Sequence, residues 1–285
     1  MKNLKLKIGI VGYGFVGKAV DYGFETEYVE KFYVDPKLNT TIDDLVGFNP
    51  NLTFICLPTP MNGDLADIND SILKCLRLTK GAVVLKSTVT PECIESLCVT
   101  LAGIGVYKRF VYNPEFLTEA NSIEQFIYPQ FQIYGGESEA CQSLAEIYDD
   151  YSNVTPAPVY MTTPIEASFA KYAINSFLAM KVTFFNQLYD GFQRYKHRGS
   201  FQKMLRAVTA DPRIGLSHTK VPGYDKKRGF GGACLPKDTA AFVEEIPELT
   251  LLEEVIKVNN QYRKDYELDE REIEQNVDYG QTKEE

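Results

Sequence analysis

A cysteine with charged neighbours follows a glycine-rich stretch at residues 229–238, which reads GFGGACLPKD. Glycine gives a loop the backbone freedom to approach a substrate closely. If Cys234 enters a helix at the end of this loop, the helix N-terminus would stabilise its thiolate. Lys237 adds positive charge, and Asp238 lies one helical turn after the cysteine, where its carboxylate could accept a proton. The pattern indicates a nucleophilic thiol, and a buried structural cysteine is the alternative.

The remaining cysteines have no comparable charged neighbours, and we expect them to be buried structural thiols. The chain has six cysteines, none in a CxxC pair, and its only histidines are His197 and His218. We therefore expect no metal site. Reduced thiols are the default in a cytosol, so we predict a cytoplasmic protein.

Two other groups of residues have types and spacing suited to proton transfer. Glu115 and Glu119 lie one turn apart in NPEFLTEA and would share a face if a helix begins there, although a capped helix start is the alternative. Lys171 and Asn175 share a face of a long predicted helix, among apolar neighbours. A partly buried lysine needs an anionic or hydrogen-bonding partner, whereas a lysine that reaches solvent is the alternative.

A second glycine-rich segment near the N-terminus, GYGFVG, fits the GxGxxG pattern between a predicted strand and a predicted helix. The first glycine permits a tight turn, the second lets a pyrophosphate approach, and the third lets helix and strand pack closely. Asp35 ends the next predicted strand, where it can accept hydrogen bonds from ribose hydroxyls and would repel a 2′-phosphate. NAD is therefore the predicted cofactor, and a turn without a ligand is the alternative. The residues of the turn are Gly12, Tyr13, Gly14, Phe15, Val16 and Gly17.

Further polar residues follow the third and fourth predicted strands. Ligands in open α/β sheets bind beyond the carboxyl ends of the strands. A rigid loop and a helix cap are the alternatives for these two segments. The segments are Pro58, Thr59 and Pro60 after one strand, and Ser87 and Thr88 after the other.

The elements that must position these residues alternate between short apolar strands and helices, which predicts an α/β fold with a doubly wound, Rossmann-type parallel sheet. A long helix from Pro164 to about Lys196 then opens a smaller all-helical domain, with further helices at about residues 201–209 and 249–266. We predict a NAD-binding domain at residues 1–160, a helical catalytic and dimerisation domain at 161–268, and an acidic tail at 269–285 that is frayed or disordered. The predicted strands are residues 6–11, 31–34, 52–57, 82–86, 110–112 and 131–134.

Composition narrows the possible functions. Of the 285 residues, 44% are hydrophobic, which is enough for a core, and the net charge of −9 argues against nucleic-acid binding. No apolar run is long enough to span a membrane. The lysines and the apolar run at the N-terminus favour a first β-strand over a signal peptide, because glycines interrupt the run.

Taken together, these segments resemble the UDP-glucose 6-dehydrogenase family and its GDP-mannose and UDP-N-acetylhexosamine dehydrogenase relatives. The resemblance covers about residues 7–262 and rests on GYGFVG, LPTP, KSTV, NPEFLTEA, AKYAINSFLAMK, DPRIG and GFGGACLPKD. It implies oxidation of a sugar C6 alcohol to a carboxylate in two steps, with reduction of two NAD. Cys234 would attack the intermediate aldehyde to form a thiohemiacetal, which becomes a thioester and is hydrolysed.

The resemblance also implies roles for individual residues. Asp238 and Thr88 would position or activate water, Lys171 and Asn175 would hold the developing oxyanion, and Glu115 would act as general base or orient hydrolysis. The helix from Pro164 would form a homodimer, and it carries more apolar surface than a small domain can cover. Besides the glycine turn and Asp35, the implied cofactor contacts are Pro58, Thr59, Pro60, Ser87, Thr88, Glu119 and Lys237. The implied substrate contacts are Glu115, Phe116, Leu117, Thr118, Lys171, Asn175, Arg213, Gly231 and Cys234.

Several features depart from the family pattern. Thr118 follows NPEFL where Arg or Ala is common, and the family's PxR segment reads Pro129-Gln130-Phe131, without the arginine. The chain stops where a C-terminal domain that clamps the nucleotide would begin. The favoured hypothesis is a UDP-glucose dehydrogenase, and the alternatives are a dehydrogenase of another or smaller sugar and a non-catalytic NAD-binding protein.

Overall fold

The computed structural model describes residues 5–61, 65–118 and 121–280, and the chain forms two compact units. The first unit ends at Lys171, and the second begins at Tyr172 and also includes Pro60 and Met61. This division falls later in the chain than the predicted domain boundary near residue 160, which stays a prediction. The strand Val159–Thr162 pairs with a strand of the first unit, and this pairing extends the first unit into the long helix.

The first unit contains a seven-stranded sheet in the order β2-β1-β3-β4-β5-β6-β7. The chain leaves β1 toward β2 on one side and returns to β3 on the other, so the topological switch point lies at β1. The strands are β1 (Leu6–Val11), β2 (Val29–Val34), β3 (Leu52–Ile55), β4 (Ala82–Leu85), β5 (Phe110–Tyr112), β6 (Gln132–Gly136) and β7 (Val159–Thr162).

The predicted doubly wound sheet is confirmed, with one departure at its edge. Strands β1 to β5 are parallel, but β6 runs antiparallel to β5, and β7 is parallel to β6. The bounds of β1 and β5 agree with the prediction, whereas β7 was not predicted. Its side chains are intermediate or exposed, so it lacks the buried apolar pattern by which the other strands were identified.

Both faces of the sheet are covered. Successive side chains of a strand point to opposite sides, and they pack in two separate apolar clusters. Val11, Ile55 and Leu85 pack in one apolar cluster, while Ile10 and Phe54 pack in the other. The covering helices of the first unit are α1 (Phe15–Gly23), α2 (Leu45–Phe48), α3 (Ala66–Leu78), α4 (Pro91–Gly103), α5 (Ser122–Ile127) and α6 (Ser138–Tyr151).

The described part of the second unit is helical, as predicted. Helix α7 (Pro164–Gln193) crosses the boundary between the units and begins with a capping box, because Thr163 Oγ1 accepts from Glu166 N–H and the Glu166 carboxylate accepts from Thr163 N–H. The other helices are α8 (Phe201–Thr209), α9 (Leu235–Glu245), α10 (Thr250–Arg263) and α11 (Glu270–Glu274).

The second unit has several small apolar clusters instead of one large core. Phe185 packs with Phe201 and Leu205, and Tyr172 packs with Phe242. Residues 269–280 were predicted to belong to a frayed or disordered tail, but the structure shows otherwise. This segment contains α11 and the buried side chains of Glu272, Val277 and Tyr279. None of the helices in the described residues is long and apolar enough to cross a bilayer.

Candidate active site

The glycine turn, residues 12–17, joins β1 to α1 in the first unit. Gly12 has φ +89°, and a Cβ there would lie 2.6 Å from the carbonyl oxygen of Cys56. A Cβ on Gly17 would lie 2.1 Å from the carbonyl oxygen of Gly12. By contrast, a Cβ on Gly14 would meet no atom of the described residues within 4 Å. Folding of the turn thus needs glycine at positions 12 and 17, whereas the glycine at position 14 leaves room for a ligand.

Asp35 lies beside this turn at the end of β2. Its carboxylate accepts hydrogen bonds from the N–H of Tyr13 at 2.8 Å and from the N–H of Lys37 at 2.9 Å. The backbone N–H of Tyr13 is the main cause that lowers the pKa of Asp35 below its ordinary value. The acid therefore stays charged beside the α1 N-terminus, where Phe15 and Val16 begin the helix. This arrangement fits the pyrophosphate and ribose of NAD.

The two predicted strand-end segments of the first unit lie at neighbouring strands β3 and β4. Ser87 is buried, and its hydroxyl donates to the carbonyl of Leu57 at 2.7 Å, so it fastens the two strand ends together. Pro58 is exposed, and Thr59 and Thr88 are partly buried. The structure assigns Pro60 to the second unit. Contact of these residues with a cofactor stays a prediction.

Glu115 forms an ion pair with Lys86, a residue that the sequence analysis did not select. The Lys86 side chain is only 2% exposed, and its ammonium also donates to Asn113 Oδ1 at 2.7 Å. A buried ammonium requires such partners. Both residues of the pair line a cavity of about 290 Å³, together with Asn113 and Gln130. In the sequence, Lys86 could have been identified as a lysine at the end of an otherwise apolar buried strand.

Lys171 is buried, at 5% exposure, as its apolar neighbours predicted. Its ammonium donates to the backbone carbonyl of Glu115 and lies 5.1 Å from the centre of the Phe116 ring. The structure thereby joins two of the predicted catalytic residues through the loop after β5.

The rest of that loop was predicted to bind substrate through its backbone. Phe116 and Leu117 are partly buried, and the N–H of Thr118 donates to Gln125 Oε1 at 2.6 Å. This amide is therefore already engaged by a side chain of α5. The predicted cofactor contact Glu119 lies outside the described residues.

In the second unit, Asn175 and Asp238 meet although they are far apart in sequence. Asn175 Nδ2 donates to Asp238 Oδ2 at 2.6 Å, and Lys237 Nζ contacts Asp238 Oδ1 at 2.5 Å. All three residues are buried. The carboxylate of Asp238 is thus held in a fixed orientation by one amide and one ammonium, within the first turn of α9.

Cys234 occupies the N-cap position of α9, as the sequence predicted, and is partly exposed. Its carbonyl accepts from the N–H of Asp238 at 2.9 Å, which closes the first helical turn. A cysteine at the start of a helix lies where the partial positive charge favours a thiolate.

Four other cysteines differ from Cys234, because burial disfavours their thiolates. Burial raises the pKa of the Cys56 thiol, that of Cys75 to about 12, and those of Cys98 and Cys141 to about 11. These thiols stay protonated at neutral pH, as expected for structural cysteines. No three His, Cys, Asp or Glu side chains are grouped to hold a metal ion in the part of the chain that the structure describes.

The cysteine loop, residues 229–234, rests on buried polar side chains of the second unit. A Cβ on Gly231 would lie 2.1 Å from Arg263 Nη2, and a Cβ on Gly229 would lie 2.5 Å from Asn259 Oδ1. Only at Gly232, with φ +81°, would a Cβ meet no atom of the described residues within 4 Å. The sequence predicts that these glycines let the loop approach a substrate, but Gly229 and Gly231 are required by packing within the protein.

Arg213 is one of the predicted substrate contacts. Its side chain is 88% exposed and pairs with Asp211 at 2.6 Å. The hydrogen bonds from Arg213 also lower the pKa of Asp211. The guanidinium is thus held at the surface in a defined orientation, and its contact with a substrate stays a prediction.

Comparison with known proteins supports the dehydrogenase family that the sequence motifs resemble. The NAD binding domain model of the UDP-glucose/GDP-mannose dehydrogenase family matches residues 25–152, and the central domain model of the same family matches residues 165–261. A UDP-glucose 6-dehydrogenase of Rickettsia conorii is 31% identical over 223 residues, which are 75% of this chain and 50% of that protein. The chain therefore spans about half the length of the curated relatives it matches.

Solved structures agree with this assignment. A UDP-glucose dehydrogenase from Pyrobaculum islandicum has a TM-score of 0.74 and 26% identity, covering 90% of this chain and 68% of that chain. A 3-hydroxyisobutyrate dehydrogenase of Mycobacterium tuberculosis covers 97% of both chains with a TM-score of 0.72, but its 13% identity shows the fold alone. Because both domain models match in order, and the first is the family's NAD binding domain, the chain belongs to the UDP-glucose/GDP-mannose dehydrogenase family.

Proposed function

We propose that this protein catalyses the NAD-dependent oxidation of a nucleotide sugar, with UDP-glucose as the substrate and UDP-glucuronate as the product. The observation that carries the proposal is the arrangement at the start of α9. Cys234 caps this helix, and Asp238 is held in its first turn by Asn175 and Lys237. A nucleophile followed by an oriented carboxylate suits a reaction that forms and then hydrolyses a covalent intermediate.

The proposed reaction balances over two oxidations. The C6 alcohol loses a hydride and a proton to give an aldehyde, and the Cys234 sulfur adds to the aldehyde carbon to form a thiohemiacetal. Loss of a second hydride and proton gives a thioester, and water cleaves its C–S bond to release the carboxylate and the thiol. NAD, when bound, accepts each hydride. The net change consumes one water and two NAD⁺ and yields two NADH and three protons per carboxylate formed.

The chain's own residues would supply binding, orientation and proton transfer. The glycine turn and Asp35 would bind NAD, and Thr88 and Glu115 would help to position water. Lys171 and Asn175, one turn apart on α7, would hold the developing oxyanion. Asp238 would accept a proton from water during hydrolysis.

Replacement of Cys234 by Ser tests the covalent step. We expect NADH formation from UDP-glucose to stop before uronate appears, because a serine hydroxyl is a far weaker nucleophile than a thiolate. The wild-type protein should form two NADH per uronate, measured by absorbance at 340 nm and by chromatography of the product.

The matched control is Cys93→Ser, since Cys93 is another partly exposed thiol but lies on α4. It should leave turnover unchanged. Unchanged uronate production by Cys234→Ser would refute the covalent mechanism. NAD binding by calorimetry without turnover of any nucleotide sugar would favour a non-catalytic NAD-binding protein. Turnover of a smaller sugar alone would favour a different dehydrogenase.

We also propose that the protein forms a homodimer through α7. Phe177 and Phe184 lie two turns apart on this helix, and each is 57% exposed. Exposed aromatic side chains at this spacing form an apolar stripe that a second copy could cover. Sedimentation velocity should show a dimer at micromolar concentration, and Phe177→Asp should shift the protein to monomer. A monomer in the wild-type sample would contradict this proposal.

A further inference from the structure

The α11 segment, residues 269–279, packs against the cysteine loop within the second unit. Its central side chain, Glu272, is fully buried at 0% exposure, and Val277 and Tyr279 are buried as well. A buried carboxylate is stable only when charged or polar partners surround it. The partners of Glu272 lead directly to the backbone of the loop that carries Cys234.

One oxygen of Glu272 receives three donors. Oε1 accepts from the N–H of Gly232 at 3.1 Å, from Arg263 Nη2 at 2.6 Å and from the hydroxyl of Tyr279 at 2.8 Å. The other oxygen accepts from the N–H of Asp269 at 2.9 Å. The carboxylate therefore has a single fixed orientation, in which it holds a backbone amide two residues before Cys234.

Arg263 lies beneath the loop and links it to a second carboxylate. Its Nη1 contacts Asp225 Oδ2 at 2.6 Å, while Nη2 contacts Glu272. Arg263 is 1% exposed, so this guanidinium neutralises two acidic side chains inside the unit. An ionic cluster of this kind is costly to bury unless every member is satisfied, and it favours one arrangement of the chain.

An earlier residue of the loop, Phe230, is held from α10. Asn259 Oδ1 accepts from the N–H of Phe230 at 2.7 Å, and Asn259 Nδ2 donates to the carbonyl of the same residue at 3.0 Å. The loop is thus anchored at Phe230 by α10 and at Gly232 by the α11 segment. Gly232 has φ +81°, and the Glu272 hydrogen bond holds its amide in place.

We propose that Glu272 is a positioning residue for the proposed nucleophile, which holds Gly232 so that Cys234 enters α9 at its N-cap. The inference rests on the proposed function in taking Cys234 as the nucleophile. Without this bond, the loop keeps its anchors at Gly229 and Phe230 but loses the one at Gly232, two residues before the thiol, so the thiol shifts from its place at the helix N-terminus. Misplacement of a reacting group by about 1 Å can cost about a hundredfold in rate.

The test uses the full chain and four variants. Glu272→Ala removes the acceptor, Glu272→Gln keeps an acceptor oxygen, and Tyr279→Phe removes one supporting donor. Glu274→Ala is the matched control, because Glu274 is an exposed acid on the same helix. The first measurement is the rate of Cys234 alkylation by iodoacetamide against pH, followed by peptide mass spectrometry. The second is kcat and KM with NAD and UDP-glucose.

For Glu272→Ala we expect Cys234 alkylation at neutral pH to slow by about tenfold and its pH profile to move upward, because the thiolate loses the helix N-terminus. Its kcat should fall by about tenfold or more, while KM for NAD changes by less than about twofold. Glu272→Gln should recover part of both losses. Tyr279→Phe should change either rate by no more than about threefold, and Glu274→Ala should match the wild type.

A wild-type alkylation profile in Glu272→Ala would overturn the proposal. It would also fail if Glu272→Gln lost as much as Glu272→Ala in both measurements, since that would indicate a requirement for overall stability. If Glu272→Ala does not fold, Glu272→Gln decides the question, and a wild-type alkylation profile in that variant would overturn the proposal. If the wild type oxidises no nucleotide sugar, the proposed function fails, while the alkylation series still tests the positioning role.

Discussion

The protein uses glycine at two places for two different physical reasons. In the glycine turn, both requirements come from main chain. A Cβ on Gly17 would strike the carbonyl of Gly12 within the turn, and a Cβ on Gly12 would strike the carbonyl of Cys56, just after β3. In the cysteine loop, Gly229 and Gly231 are needed by the distant side chains of Asn259 and Arg263, which occupy the space of a Cβ.

The difference determines how each segment can be understood. Two requirements of the turn between β1 and α1 are local, namely the φ of +89° at Gly12 and the contact of Gly17 with the Gly12 carbonyl, so its sequence pattern is meaningful by itself. The cysteine loop meets α10 and the α11 segment only after the second unit has folded. Gly229 and Gly231 therefore report tertiary contacts, which resemble substrate freedom when only the sequence is considered. Gly229 and Gly232 also have φ of +74° and +81°, a backbone conformation that favours glycine.

The largest expected effect is on the glycine turn. Gly17→Ala would place a Cβ 2.1 Å from the carbonyl of Gly12, and a backbone carbonyl cannot move without opening the turn. We expect a loss of about 4 kcal/mol or more in the free energy of unfolding. Urea titration followed by circular dichroism measures this loss.

Gly14→Ala is the control for that variant, since its Cβ would meet no described atom within 4 Å. It should fold with a stability near that of the wild type but bind NAD at least about tenfold more weakly, because the methyl group occupies the pyrophosphate's approach. Calorimetry gives the affinity. Equal unfolding free energies for Gly17→Ala and Gly14→Ala would contradict the local origin of the glycine requirement.

A smaller effect is expected in the cysteine loop. Gly231→Ala would bring a Cβ to 2.1 Å from Arg263 Nη2, and the guanidinium must shift within a buried ionic cluster. Overpacking of this kind costs about 1–3 kcal/mol, and we expect the upper end. Gly232→Ala suffers only the left-handed strain, about 1 kcal/mol, because its Cβ has no close neighbour among the described residues. If Gly232→Ala were the less stable variant, the packing argument would be wrong.

The smallest expected effect is a pH dependence of the second unit's stability. Burial would raise the pKa of Glu272, but the N–H groups of Asp269 and Gly232, the Tyr279 hydroxyl and Arg263 together lower it. Since the folded pKa lies below the unfolded value of about 4.3, the contribution of Glu272 is present above that pH and is lost as pH falls further. Lys227 also faces this carboxylate, with its Nζ 4.0 Å from Oε2.

The comparison of wild type with Glu272→Gln isolates this contribution. The difference in their free energies of unfolding should be constant between about pH 7 and pH 5 and should shrink below about pH 4. For Glu274→Gln the difference should stay close to zero throughout, because Glu274 is exposed. A gap for Glu272→Gln that is unchanged at pH 3 would show that this carboxylate does not titrate with folding.

Much of the fold was predictable because the relevant signals are local. The bounds of β1, β5 and α8 follow from short apolar runs and helical spacing, and they agree with the prediction. The antiparallel β6 and the added β7 were not predictable in this way. Strand direction depends on how the chain returns to the sheet, and β7 has partly exposed side chains that give no buried pattern.

The sequence by itself determined the α/β class, the glycine turn with Asp35, and a cysteine with charged neighbours at the start of a helix. Each depends on residues that are close along the chain or on a repeated strand-turn-helix pattern. Only the tertiary structure decided that Lys86 pairs with Glu115, that Asn175 holds Asp238, and that Glu272 holds the cysteine loop. The partners in these pairs are distant in sequence, and the burial that makes their charges need one another exists only after folding.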